Sequence, residues 1–68
     1  ESHRVAASRD FKRNTLVVVC RVNTDKCVEV VITDWIEHPD RDIDLSSFAF
    51  AQLADLGLGL IDVTISEK

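Results

Sequence analysis

The chain is expected to be a small, mainly β domain with one short helix, and three observations point there. Residues 15–22 and 27–33 are two runs rich in Val, Leu, Ile and Thr, and the turn-forming stretch Asn23-Thr24-Asp25-Lys26 lies between them, so the pair predicts a β-hairpin. Ser46 and Ser47 offer an N-cap to the only stretch with helical apolar spacing. The composition is globular, 46% hydrophobic and 29% charged with two glycines and one proline, which leaves no low-complexity or linker segment.

Taken in order, residues 4–7 predict a short strand and the polar stretch 9–14 a loop. The hairpin follows. Residues 34–41 hold the only proline, Pro39, and predict an irregular excursion. Residues 42–45 predict another short strand, with Leu45 placed as a hydrophobic staple for the helix. The helix is expected over 47–56, where Ala49, Leu53 and Leu56 follow the i, i+4, i+7 spacing and Phe50 and Ala54 widen the apolar face. Phe48 and Phe50 are expected in the core. Gly57 suits the left-handed position past the helix end, and Gly59 loosens the next turn. Residues 60–66 alternate as a final strand. The 68 residues are expected to form one domain whose core is marginal unless stapled or paired.

Charge narrows the partners. Twelve acids against eight bases give a net charge of −4, which disfavours nucleic acid or an anionic membrane. No apolar run reaches the roughly 18–20 residues of a membrane span. Glu1-Ser2-His3-Arg4 shows no signal peptide, so the chain is expected to be a mature or trimmed segment. His3 carries no reading beyond a solvated residue.

If Asn23-Thr24 is a two-residue turn, Val22 pairs with Asp25 and Cys20 falls opposite Cys27, at about the separation a disulfide spans. The expectation is a cross-strand Cys20–Cys27 disulfide and an exported protein. The alternative is two free cysteines serving as small apolar residues. Two cysteines and two distant histidines fit no usual zinc spacing, and no metal or cofactor is expected.

Two acids sit at the ends of regular elements: Asp34 closes Val30-Val31-Ile32-Thr33-Asp34, and Asp44 precedes the helix in Ile43-Asp44-Leu45-Ser46. From Val5 to Ile65 the chain resembles the double-psi β-barrel of rare-lipoprotein-A lytic transglycosylases and expansins. Those domains have T-A-A-H-x-x-x-P-x-G-T, a hairpin, V-x-V-N-D, then I-D-L-S and a helix; expansins carry F-D-L-S followed by A-F. Here Ala6-Ala7-Ser8 through Asn14-Thr15 has the length of the first segment, and Asp34 falls on the hairpin's closing Asp. Ile43-Asp44-Leu45-Ser46 matches the second motif outright. Ser8 replaces the family's usual histidine, and Lys12 and Asn14 replace the proline and glycine. Trp35-Ile36-Glu37-His38-Pro39 takes the place of an R-G-P segment.

The resemblance implies a six-stranded double-psi β-barrel of which residues 1–68 hold five strands. The sixth, N-terminal strand would be lost by truncation, or supplied by a partner strand or a homodimer that completes the barrel. It implies action on peptidoglycan or another cell-wall polysaccharide in the periplasm, cell envelope or extracellular space. A lytic transglycosylase cleaves the glycosidic bond as the muramic acid C6 hydroxyl attacks to give a 1,6-anhydro product. One carboxylic acid suffices, protonating the leaving oxygen and then serving as base. Asp44 is the candidate for that acid, its alternative role being a helix-terminus acceptor. Asp34 would either help Asp44 keep its proton or bond sugar hydroxyls, against a plain strand-end turn.

Thr33 is a candidate donor in the same groove, or a plain strand threonine. Trp35, the only tryptophan, would stack on a sugar face or plug the core under its loop. Glu37 and His38 would add an acid and a group titrating near neutrality, or be loop residues of no particular role. The alternative reading of the whole chain is a non-catalytic, expansin-like polysaccharide-binding or wall-loosening module. A third, interaction scaffold, is open because double-psi barrels also serve unrelated functions.

Overall fold

The computed structural model describes residues 4–36 and 42–68. Five strands, β1 (Val5–Ser8), β2 (Leu16–Arg21), β3 (Cys27–Asp34), β4 (Ile43–Leu45) and β5 (Val63–Glu67), form one sheet in the order β4-β1-β3-β2-β5. The sheet curls into a half-barrel, and helix α1 (Ser47–Ala51) and a 3-10 turn (Leu56–Leu58) follow β4. β1 runs parallel to β3, and every other neighbouring pair is antiparallel.

Period-2 alternation builds the concave face. Val17 and Val19 of β2 and Val28, Val30 and Ile32 of β3 point inward and are buried, joined by Ala6, Ala49 and Leu53. Phe11, Ile43, Leu45, Ile61, Val63 and Ile65 pack partly against this cluster. β4 and β5 are the outer strands among the described residues, and a cleft of about 360 Å³ between them is lined by Ile43, Leu60, Ile61, Val63 and Ile65 with Asp42 and Asp62. The sixth strand that the resemblance implies has no counterpart among the described residues.

The hairpin has the expected register by a different turn. Arg21 N donates to the Lys26 carbonyl at 3.0 Å, closing a four-residue loop in place of the two-residue Asn23-Thr24 turn. Asn23 takes φ 66°, and the Thr24 hydroxyl donates to the Arg21 carbonyl and accepts from Lys26 N. Both loops preserve the same pairing, so Cys20 lies opposite Cys27, and the two are joined as a disulfide with Cα atoms 4.0 Å apart. Closing so small a ring removes about 2 kcal/mol of unfolded-state entropy. The double Cys20→Ser, Cys27→Ser variant is therefore expected to melt about 10 °C lower, as is the reduced native chain. Thermal unfolding with and without reductant checks this, and unchanged melting would show that the cross-link is not formed in solution.

The β1–β2 loop ends in a turn in which Thr15 N donates to the Lys12 carbonyl and Asn14 takes φ 75°. That left-handed position explains why asparagine can stand where the family has glycine, since Asn tolerates it best among residues with a side chain. Asn14→Val is expected to lower stability by about 1–2 kcal/mol while Asn14→Gly leaves it near native. Urea unfolding of the two variants measures the difference.

The helix is shorter than its apolar spacing predicts. Ser46 caps it, its Oγ accepting from Ala49 N at 3.2 Å, and Ala49, Leu53 and Ala54 are buried as expected. After Ala51 the chain closes through bonds to the Phe50 carbonyl, and Asp55 then caps a new 3-10 turn by accepting from Gly57 N at 3.0 Å. An Asp side chain competing for local N–H groups ends a helix in this way. Leu56 is consequently exposed, and Gly59, not Gly57, takes the positive φ, 74°. Phe50 is half-buried, whereas Phe48 is exposed, contrary to expectation.

Candidate functional site

The two carboxylates meet across one strand. Ala7 of β1 is the register partner of Asp34 on β3 and of Asp44 on β4. Ala7 and Asp44 are partners in the regular β1–β4 ladder, so their side chains leave the convex side of the sheet, while Ala6 and Ser8 on either side of Ala7 are buried. Asp34 is exposed at the end of β3. The register of β1 on β3 shifts between Ala6 and Ala7, so that Thr33 is passed over and Asp34 is the residue brought level with Ala7. Strand spacing puts the Asp34 and Asp44 backbones about 10 Å apart. Ala7 is the residue of β1 between them.

Thr33 is tied into this irregularity, its hydroxyl donating to the Ala6 carbonyl at 3.5 Å. Ser8, in the place of the family's histidine, is 1% exposed. Its Oγ donates to the Asp42 carbonyl at 3.3 Å and accepts from Asp10 N at 3.1 Å, so it fastens the loop after β1 to the start of β4. Asp44 sits within β4; the N-cap of α1 is Ser46. Asp44 also borders a cavity of about 210 Å³ with Leu45, Phe50, Ile61 and Val63.

Asp34 and Trp35 line a second cavity, of about 350 Å³, together with Arg9, Phe11, Lys12 and Arg13 of the β1–β2 loop. Trp35 is 62% exposed, so it is not a core plug and its ring is open to a ligand. Arg9 continues β1 two residues beyond Ala7 and pairs with Asp42 at 3.0 Å. The structure thus brings Asp34 together with Trp35, and sets Asp44 on β4, across β1 from Asp34. Glu37 and His38 lie outside the described residues. The loop cations and Ala7 were not singled out from the sequence; the density of Arg and Lys in residues 9–13 is the signal that could have found the former. Among the described residues no group of three or more metal-ligating side chains gathers, and no helix is long and apolar enough to cross a membrane.

A curled β half-barrel with one short helix, two exposed strand carboxylates and an open tryptophan beside loop cations defines a small mainly-β domain. The family model described as lytic transglycolase, a double-psi β-barrel, matches residues 3–65, and the chain belongs to that family. Among curated proteins none matches the chain. The family makes this a lytic transglycosylase- or expansin-like domain, for which a cell-wall polysaccharide is the suggested substrate, and the disulfide suggests an exported protein.

Proposed function

We propose that the chain is a peptidoglycan lytic transglycosylase domain whose groove runs across β3, β1 and β4, with Asp44 as general acid and then base. The observation that carries this reading is the common register partner of Asp34 and Asp44, which brings two exposed acidic residues to the strands on either side of the small Ala7. A glycan strand laid over Ala7 would have the leaving oxygen within reach of Asp44, which protonates it as the bond to the anomeric carbon breaks. Asp44 then takes the proton of the C6 hydroxyl as that oxygen closes the anhydro ring. Asp34 serves by hydrogen-bonding sugar hydroxyls. Thr33 supports the irregularity that presents Asp34, and Trp35 stacks on a sugar ring farther along the groove. Glu37 and His38, which follow Trp35 in the sequence, are assigned to sugar contact as well.

The second reading, a non-catalytic wall-loosening or binding module, draws support from Ser8, whose burial and internal bonds leave no side chain for the groove where the family has histidine. Mass spectrometry of products from peptidoglycan freed of its stem peptides decides between the two: anhydromuramyl products support cleavage. Their absence, with retention on insoluble polysaccharide in a pull-down, would leave binding alone. We place the chain in the periplasm, envelope or extracellular space, as one domain whose β4–β5 cleft takes a further strand from its own protein or from a second copy.

A further inference from the structure

Arg9, Lys12 and Arg13 supply three of the eight cations of the chain within five residues. They line the cavity beside Trp35, where they outnumber the two acids Asp10 and Asp34, although the chain as a whole carries −4. Their commitments differ. Arg9 is held by Asp42 at 3.0 Å. Arg13 stands 3.8 Å from Asp34, beyond hydrogen-bond reach, with both side chains more than 70% exposed, so its guanidinium donors remain open to a ligand. Lys12 makes no ion pair among the described residues. Phe11, packed against the core, and the Lys12–Thr15 turn anchor the segment that carries these cations.

An open tryptophan face next to two available cations is chemistry for a sugar that bears an anion. We propose that Lys12 and Arg13 form a carboxylate-binding subsite that selects acidic saccharides, holding a carboxylate of the sugar that stacks on Trp35. Arg13 supplies the planar, two-donor geometry that matches a carboxylate and Lys12 a point charge. This rests on the glycan reading above and adds which glycan is preferred. The carboxylate has two sources: the lactyl group of muramic acid, bare once the stem peptide is removed, or a uronic acid ring.

Trp35 is the only tryptophan, so its emission reports occupancy directly. The probes are peptide-free muramic-acid-containing tetrasaccharide, oligogalacturonate, and the carboxyl-amidated form of each. The expected result is about tenfold tighter binding of acid than of amide, as for one charge-assisted hydrogen bond, with the difference shrinking as salt rises. The double variant Lys12→Gln, Arg13→Gln, both in an exposed loop, is expected to bind the two forms alike. Preference in both acid–amide pairs supports recognition of the carboxylate itself, and preference in the muramic pair alone supports the lactyl source. Equal binding of acid and amide by the native chain overturns the subsite and leaves the glycan reading standing, as does an acid preference that survives in the double variant. No binding of any saccharide overturns both.

Discussion

Asp44→Asn is expected to lower the rate of anhydromuramyl product release by about 10²–10⁴-fold, the usual contribution of a positioned acid–base group. Asparagine has the size of aspartate and can stay in the same strand position, but it neither gives a proton to the leaving oxygen nor takes one from the C6 hydroxyl. Binding, read by Trp35 emission, should persist in the variant, since the aromatic ring and Asp34 lie on the other side of Ala7. Asp34→Asn is expected to weaken binding more than turnover, because its assigned partners are sugar hydroxyls. Product analysis of both variants beside the native chain separates these roles. Full activity in Asp44→Asn would remove Asp44 from the chemistry, and equal losses in both variants would point to a joint role.

Ile32→Ala is expected to have the largest effect on the fold. Ile32 is fully buried on β3, the strand between β1 and β2, and is the largest of the fully buried side chains. Truncation removes three carbons where neighbours on both sides are held by the ladder and cannot close the gap, which costs about 3–4 kcal/mol. A chain of 68 residues has on the order of 3–10 kcal/mol in total, so the variant would be largely unfolded at moderate temperature. Circular dichroism and urea unfolding measure this. A loss under about 1 kcal/mol would mean that the concave face is not a closed core.

Much of the sheet was legible because its signals are local. Alternation in residues 15–22 and 27–33 marks both long strands, and any even loop centred between Asn23 and Thr24 gives the Cys20–Cys27 pairing, which is why the wrong turn type still yielded the right disulfide. The extent of the helix was not legible. Leu56 keeps the helical spacing, but Asp55 captures Gly57 N and starts a new turn, a competition between side chain and backbone that apolar periodicity does not record. The candidate site was half legible. The family motifs pick out Asp34 and Asp44 individually, yet their relation depends on β1 lying between β3 and β4 and on the shift that passes over Thr33, and neither follows from residue spacing along the chain.

The strand order also bears on when the domain can fold. β1 precedes the other described strands, yet it lies inside the sheet between β3 and β4, and the latter ends only at Leu45. β2 has one neighbour in the adjoining hairpin and its other in β5, which ends at Glu67. Only the β2–β3 hairpin can pair early; every other ladder waits for residues far along the chain, and such non-local pairing is slow. The sheet therefore stays open until β5 is available, and the early hairpin must hold its apolar face without the strands that later cover it.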